Sequence, residues 1–122
     1  MSELQSDCLS VLIVEDDNDT VENLCDILAM EGHECRRAAT FAEAMTELEE
    51  VLPEVIILDR QLPDGVAETF IPKIKRLASD LPIVVVTGFP DIDGAIKTLR
   101  QGAYDYLLKP INPDVLLHSL RG

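Results

Sequence analysis

Residues 55–59 read Val-Ile-Ile-Leu-Asp, a continuous run of aliphatic, mostly β-branched side chains that ends in a carboxylate. Two further runs have the same character, Val-Leu-Ile-Val at 11–14 and Ile-Val-Val-Val at 83–86. Continuous apolar runs of this length are typical of strands covered on both faces, as the strands of a parallel sheet are. We therefore predict three central strands, with weaker strand candidates at 34–38 and 105–108.

Segments with helical periodicity separate these runs. Their apolar residues recur at a spacing of three to four, and the predicted helices cover residues 21–28, 40–48, 68–79, 92–101 and the stretch after Asn112. Gly32 and Gly102 favour the ends of the first and the fourth helix. Proline is tolerated in a helix mainly near the first turn, so Pro72 predicts that the third helix starts late or irregularly.

The alternation of strands and helices indicates the fold class. Strands separated by helices favour parallel pairing with right-handed crossovers, which gives an open three-layer α/β sandwich with a five-stranded parallel sheet. A chain of 122 residues suffices for one such domain, which we place at 10–122 after an N-terminal extension at 1–9. The last predicted helix ends without a linker, and we expect the chain to be a piece cut from a longer protein.

Acidic residues dominate the composition. The chain has 23 Asp and Glu against 10 Lys and Arg, a formal net charge of −13, and Arg36 is its first Lys or Arg. Nucleic acids and anionic membrane surfaces would be repelled, so we expect no direct binding to either. No apolar run approaches the ~18 residues of a membrane span, and no secretory signal pattern is present. Cys8, Cys25 and Cys35 lack metal-type spacing, which favours reduced thiols in the cytoplasm.

Polar groups follow the predicted strands at the edge where open parallel sheets bind ligands. Glu15 and Asp16 follow the first strand, Asp59 the third, Thr87 the fourth and Lys109 the fifth. Any one of these alone is usually a solvated surface group. Together, the three carboxylates would repel one another more than one lysine offsets, and a hard cation such as Mg²⁺ would balance them. A carboxylate beside a metal, a lysine and a hydroxyl is suited to accept a phosphoryl group.

Four motifs together resemble the receiver domain of bacterial two-component response regulators. They are Val-Leu-Ile-Val-Glu-Asp-Asp at 11–17, Ile-Ile-Leu-Asp-Arg-Gln-Leu-Pro-Asp-Gly at 56–65, Val-Val-Val-Thr-Gly at 84–88 and Gly-Ala-Tyr-Asp-Tyr-Leu-Leu-Lys-Pro at 102–110. The resemblance extends from residue 10 to residue 121. It implies a flavodoxin-like (βα)5 fold and identifies the predicted domain as a receiver domain.

The resemblance also implies a role for the residues at the strand ends. Asp59 would be the phosphoacceptor and would take its phosphoryl group from a phosphohistidine on a sensor histidine kinase. Asp16, Asp59 and the main-chain carbonyl of Gln61 would bind Mg²⁺ directly, and Glu15 would act through water. Lys109 would contact a phosphate oxygen.

A conformational switch is implied as well. Thr87 and the amide of Gly88 would hydrogen-bond the phosphate, and Tyr106 would swing inward behind Thr87. The bond between Lys109 and Pro110 would be cis. The face formed by the fourth helix, the fifth strand and the fifth helix would carry the signal to an output domain or effector, and it is a candidate homodimer surface. The domain would then be a cytoplasmic regulatory phosphoacceptor that catalyses only its own phosphorylation and dephosphorylation.

Three other classes share part of this pattern. A phosphatase resembling the haloacid-dehalogenase group needs a second Asp two residues after its nucleophile, where this chain has Gln61. A flavodoxin-like FMN carrier needs a phosphate loop rich in Ser, Thr and Gly after the first strand, and residues 15–17 would instead repel a phosphate. A phosphorylation-independent interaction module on the same fold stays as the alternative, although the acidic, Thr and Lys positions are all intact.

Overall fold

Strands and helices alternate along the residues that the structure, a computed structural model, describes: 8–89 and 91–121. In chain order the elements are β1 (Ser10–Val14), α1 (Asn18–Met30), β2 (Glu34–Ala38), α2 (Phe41–Glu50), β3 (Val55–Asp59), β4 (Gln61–Leu62), β5 (Gly65–Val66), α3 (Ala67–Leu77), β6 (Ile83–Thr87), α4 (Ile92–Arg100), β7 (Asp105–Leu108) and α5 (Pro113–Arg121). Most of the predicted N-terminal extension, residues 1–7, lies outside the described part.

Five of the strands form one parallel sheet in the order β2-β1-β3-β6-β7. This is the predicted (βα)5 sandwich, and both weak strand candidates belong to it. The chain moves from β1 outward to β2 and then crosses back to β3, so the order reverses between β1 and β3. Ligands in open α/β sheets bind beyond the carboxyl ends of the strands at such a reversal. The topology thus predicts a ligand site among the residues that follow β1 and β3.

The central strands are buried on both faces, because two apolar clusters enclose the sheet. The first cluster packs against α2 and α3, and its strand residues are Leu12, Val14, Ile56, Leu58, Ile83 and Val85. The second packs against α1 and α5, and its strand residues are Val11, Ile13, Val55, Ile57, Val84, Val86 and Leu107. Successive side chains of a strand point to opposite faces, so two covered faces require a continuous apolar run.

The longest described helix, α1, has 13 residues, and within the described ranges no helix combines the length and apolarity of a membrane span.

The amino end of α2 carries two side-chain caps. The hydroxyl of Thr40 accepts a hydrogen bond from the N–H of Glu43 at 3.0 Å. The carboxylate of Asp64, from the loop after β3, accepts the N–H groups of Phe41 and Ala42 at 3.1 Å each. Both residues satisfy donors that have no partner within the helix. Asp64, in the turn between β4 and β5, therefore connects the segment after β3 to the start of α2.

The prediction of a late start for the third helix is wrong. α3 begins at Ala67 and continues through Pro72. Proline has no N–H to donate to the carbonyl four residues earlier, which is that of Glu68. The side-chain amide of Gln101 donates to this carbonyl at 2.8 Å instead. The proline is tolerated because a residue beyond the end of α4 replaces the missing donor.

A short hairpin that was not predicted follows β3. Strands β4 and β5 pair in antiparallel fashion, with Leu62 opposite Gly65. Gly65 has a φ of +149°, which only glycine adopts readily. Two strands of two residues each carry no periodicity, so the apolar pattern could not reveal them. The hairpin returns the chain to the start of α3.

The expectation that all three cysteines are reduced is wrong for two of them. Cys25 in α1 and Cys35 in β2 form a disulfide, with their Cα atoms 6.0 Å apart, whereas Cys8 is free and exposed. Linear spacing hides this pair, because the two residues meet only once α1 packs back against the edge strand. The bond joins α1 to β2 on the side of the sheet that also holds α5.

Candidate functional site

The carboxyl edge of the sheet brings the predicted acidic residues together. Glu15 follows β1, Asp16 comes next, and Asp59 ends β3. Each offers one carboxylate oxygen, and the three oxygens lie within 4.8 Å of one another. Glu15 and Asp59 are buried, with 1% and 6% of their surface exposed, whereas Asp16 is exposed. The result is an acidic cluster that is buried on one side and open to solvent on the other.

Lys109 reaches this cluster from the loop after β7. Its Nζ atom lies 2.7 Å from Oε1 of Glu15 and 3.4 Å from Oδ2 of Asp59. The backbone N–H of Lys109 donates to the carbonyl of Thr87 at 2.8 Å, which joins the loop to β6. The bond between Lys109 and Pro110 is cis, as the resemblance implied. Lysine and two carboxylates from distant parts of the chain thus form one ionic group.

The charges of the cluster do not balance. Burial raises the pKa of Glu15, and the nearby carboxylate of Asp59 adds to this, although the hydrogen bond from Lys109 opposes it. Burial alone would lower the pKa of Lys109, but the carboxylates of Glu15 and Asp59 outweigh it and raise that pKa. One ammonium group faces three carboxylates. The hard oxygen donors and the excess of negative charge fit a divalent cation of the Mg²⁺ type.

Arg37, which no sequence motif predicts as a site residue, supports the acidic loop from β2. Its Nε and Nη2 atoms donate to the carbonyls of Glu15 and Asp16, at 3.3 Å and 3.1 Å. The N–H of Asp17 donates to the side chain of Glu15 at 3.2 Å, and the side chain of Asp17 caps α1. The signal for Arg37 lies in the strand order, because the end of β2 lies beside the end of β1.

The remaining predicted residues lie on neighbouring strand ends. Thr87 is buried at the end of β6, and its hydroxyl accepts the N–H of Phe89 at 3.1 Å. Gly88 follows it and is exposed. The N–H of Gln61 donates to Oδ1 of Asp59 at 3.3 Å, so the loop after β3 folds back on the carboxylate. Tyr106 lies opposite Val85 in the sheet, one position before the pair formed by Val86 and Leu107.

The hydroxyl of Tyr106 is buried without a hydrogen-bond partner in the part of the chain that the structure describes. The ring packs against the apolar cluster that faces α2 and α3. A buried hydroxyl without a partner costs about 1–3 kcal/mol relative to a satisfied one. A rotamer change that brings the hydroxyl of Tyr106 to solvent or to a new acceptor would remove this cost.

A family model described as the response regulator receiver domain matches residues 11–121. The chain belongs to this family. The resemblance drawn from the four motifs is confirmed, and the match covers every residue of the acidic cluster as well as Lys109 and Thr87.

Relatives and solved structures of receiver domains agree with this assignment. The phosphate regulon transcriptional regulatory protein PhoB of Escherichia coli is 32% identical over 113 residues, which are 91% of this chain and 49% of PhoB. A putative response regulator from Chloroflexus aurantiacus is 34% identical, with a TM-score of 0.87 and 94% and 99% of the two chains covered. A CheY-like receiver domain protein from Methanospirillum hungatei is 30% identical, with a TM-score of 0.88 and 93% and 91% covered. The receiver domain described here spans about half the length of PhoB.

Proposed function

We propose that this receiver domain is a phosphorylation-activated signalling switch. It accepts a phosphoryl group on Asp59 from the phosphohistidine of a sensor histidine kinase, in a reaction that depends on Mg²⁺, and relays the signal to an output domain or a separate effector. One observation carries the proposal: the carboxylates of Glu15, Asp16 and Asp59 cluster at a single strand edge, with the ammonium of Lys109 among them.

The donor set supports a magnesium ion at the cluster. Asp16, Asp59 and the main-chain carbonyl of Gln61 would bind the ion directly, and Glu15 would act through water. These donors are all oxygens, which Mg²⁺ prefers, and two carboxylates with a carbonyl leave room for waters and for a substrate oxygen. When bound, the ion supplies positive charge that offsets the carboxylates and the oxygens of an incoming phosphoryl group.

On this proposal Asp59 acts as the nucleophile. One oxygen of its carboxylate contacts Lys109 and the other accepts the N–H of Gln61. In the proposed step a carboxylate oxygen forms a bond to phosphorus, the phosphorus–nitrogen bond to the kinase histidine breaks, and the imidazole leaves with the electron pair. Lys109 stays protonated at neutral pH because its carboxylate neighbours raise its pKa, so it can neutralise an oxygen of the transferred group.

The switch would depend on contacts that only the phosphorylated state provides. The hydroxyl of Thr87 bonds to the backbone of Phe89 in its own loop. A phosphoryl oxygen is a stronger, charged acceptor, and Thr87 with the N–H of Gly88 would turn to it. Such a contact biases the equilibrium between two conformations. Tyr106, whose ring already packs against the apolar cluster and whose buried hydroxyl lacks a partner among the described residues, would then move into the space behind Thr87.

An exposed apolar face supports a docking role for α4, β7 and α5. Its exposed apolar residues are Ile92, Ile96, Leu99, Tyr104, Leu108 and Val115. On this proposal the face contacts an output domain, a separate effector or a second copy of the domain. The domain works in the cytoplasm, makes no direct contact with nucleic acid or membrane, and catalyses only its own phosphorylation and dephosphorylation.

Phosphorylation by a small donor tests the proposal without a kinase. We expect the domain, incubated with Mg²⁺ and acetyl phosphate, to gain the mass of one phosphoryl group, and we expect EDTA to abolish the gain. Asp59→Asn should gain nothing, whereas Asp80→Asn, which changes an exposed acid in the loop before β6, should behave like the wild type. An unmodified wild type, or an adduct on Asp59→Asn, would refute the assignment.

Thr87→Ala tests the switch separately from the chemistry. This variant should still take up the phosphoryl group, because the carboxylates and Lys109 remain, but its amide NMR spectrum should change less on phosphorylation. A response equal to that of the wild type would refute the role of Thr87. Partner binding that is indifferent to phosphorylation would instead favour the alternative of a phosphorylation-independent interaction module.

A further inference from the structure

Arg60 directly follows Asp59, and its side chain joins α3 to the start of α4. Its Nε and Nη2 atoms bond to the carboxylate of Glu68, with Nη2 2.7 Å from Oε2. Its Nη1 atom lies 2.8 Å from Oδ2 of Asp91. The side chains of Arg60 and Glu68 are 19% and 13% exposed, whereas that of Asp91 is 46% exposed. The contact with Glu68 is therefore sheltered and forked, and the contact with Asp91 is single and open to solvent.

Asp91, the second of the two acids that Arg60 contacts, is also the N-cap residue of α4. Oδ1 of Asp91 accepts the N–H of Gly94 at 2.7 Å, and its other oxygen takes the guanidinium of Arg60. Hydrogen bonds from Gly94 and Arg60 lower the pKa of Asp91, so the carboxylate is charged at neutral pH. The position of the first turn of α4 thus depends on the position of Arg60.

Gly94 makes room for this arrangement. A Cβ atom at Gly94 would overlap the guanidinium of Arg60, so only glycine lets Arg60 lie against α4. Glycine inside a helix is less favourable than alanine. The close approach of Arg60 accounts for a glycine in the first turn of a nine-residue helix.

The other end of α4 is tied to the same residue of α3. Gln101, at the carboxyl end of α4, donates to the backbone carbonyl of Glu68 at 2.8 Å. Glu68 therefore holds α4 through its backbone at one end and through Arg60 at the other. If the amino end of α4 moves while Gln101 stays, the contact that has to break is the one between Arg60 and Asp91.

From these contacts we infer that Arg60 is a positioning residue: its contact with Asp91 holds the amino end of α4 in the unphosphorylated arrangement and so sets how readily the domain switches. The inference rests on the proposed function. Thr87 and Gly88 move toward the phosphoryl group, and they share the loop that leads to Asp91. Any movement that displaces Asp91 has to break its contact with Arg60. Loss of the contact favours the activated conformation and tightens the binding of any ligand specific to it.

The test is a titration of the domain with beryllofluoride, a stable mimic of the phosphoryl group, in the presence of Mg²⁺. The amide NMR signals of α4 report the activated conformation, and the midpoint is the beryllofluoride concentration at which half of the change has occurred. Arg60→Gln and Asp91→Asn should each lower the midpoint about two- to fivefold, the range for one exposed ion pair. Asn at 91 keeps an oxygen for the N–H of Gly94, so that variant retains the helix cap. The double variant should match Arg60→Gln, because Asp91 has no ion pair left to lose once Arg60 is replaced.

Two further variants separate the contact from general effects. Gly94→Ala changes no charge but displaces Arg60, and it should lower the midpoint in the same direction. Arg100→Gln removes an exposed charge elsewhere on α4 and should leave the midpoint unchanged. Unchanged midpoints for Asp91→Asn and Gly94→Ala would overturn the inference.

Failure of the inference and failure of the proposed function give different results. A wild type that does not respond to beryllofluoride, like Asp59→Asn, would overturn the proposed function and with it the link between Arg60 and phosphorylation. Hydrogen exchange at the amide of Gly94, measured without any ligand, tests the contact itself. We expect faster exchange in Arg60→Gln than in the wild type, and equal rates would contradict a hold on α4.

Discussion

The side-chain amide of Gln101 donates a hydrogen bond of 2.8 Å to the backbone carbonyl of Glu68. Pro72 stands four residues after Glu68 and has no N–H for that carbonyl. Gln101 and Glu68 are 33 positions apart in sequence. The hydrogen-bond donor that α3 lacks at Pro72 is therefore supplied by the residue that follows α4. The same bond fixes the carboxyl end of α4 beside α3, and a further link between the two helices runs through Arg60.

Replacing Gln101 by methionine, which has a similar shape, should leave the carbonyl of Glu68 without its donor. We expect the free energy of unfolding to fall by about 1–2 kcal/mol. In a Pro72→Ala background the N–H of residue 72 can reach the carbonyl, and the loss should be smaller. Urea unfolding of the four proteins measures the coupling as a double-mutant cycle. Equal losses of unfolding free energy in both backgrounds would contradict the role of Gln101 as the substitute donor.

The sheet and the strand-end residues could be predicted because the sequence records them locally. A strand buried on both faces requires a continuous apolar run, as at 55–58, and the residue after such a run lies at the carboxyl edge. Asp59 and Thr87 follow from this rule without knowledge of the tertiary contacts, whereas Lys109 follows the weaker strand candidate at 105–108. Their placement at one edge is geometric, while their chemical roles stay predictions.

The features that escaped prediction depend on how separate elements pack against one another. Pro72 signals an interruption of α3, and only the packed structure supplies Gln101 as the substitute donor. Cys25 and Cys35 meet because α1 packs against β2. Arg37 has no motif, and its contact with the acidic loop depends on the strand order. In each case the deciding quantity is a tertiary distance, which local periodicity does not encode.

Arg37 should strengthen metal binding although it carries positive charge, because it fixes the carbonyls of Glu15 and Asp16. We expect Arg37→Gln to weaken Mg²⁺ binding about tenfold, as loss of a group that orients metal ligands does. Arg36→Gln is the matched control, since Arg36 is the preceding residue of β2 and pairs with Glu47 of α2 instead. Titration with Mg²⁺ measures both affinities. Similar affinities for the two variants would contradict an orienting role.

The ion pair between Arg60 and Glu68 should make stability depend on pH. Burial would raise the pKa of Glu68, but hydrogen bonds and charge from Arg60 outweigh burial and lower it. A carboxyl with a lower pKa in the folded state stabilises the fold above its unfolded pKa, about 4.3. That contribution is lost as the pH falls through the folded pKa.

The Tm of Glu68→Gln should therefore lie below that of the wild type at pH 7, and the gap should shrink below about pH 4. Calorimetry across this pH range measures the gap. Glu49→Gln, which changes an exposed acid of α2, should show little difference from the wild type at pH 7. A gap for Glu68→Gln that is as large in acid as at neutral pH would refute the ionic origin.

The disulfide between Cys25 and Cys35 closes a short loop of sequence separation 10. A closed loop of that size stabilises a fold by about 2–3 kcal/mol, chiefly by restricting the unfolded chain. We expect a phosphine reductant to lower the urea midpoint of the wild type and of Cys8→Ser, and to leave Cys25→Ala unaffected. Alkylation of the non-reduced, unfolded wild type should label one cysteine. Labelling of all three would contradict the bond.

Locating the phosphoryl group within the chain tests the central proposal most directly. Borohydride reduces an acyl phosphate to an alcohol, so an aspartate that carried a phosphoryl group becomes homoserine. After incubation with Mg²⁺ and acetyl phosphate, peptide mass spectrometry should find homoserine in place of Asp59 and at no other aspartate. Homoserine at another aspartate, or an unaltered Asp59 in a protein that carries the phosphoryl group, would contradict the assignment.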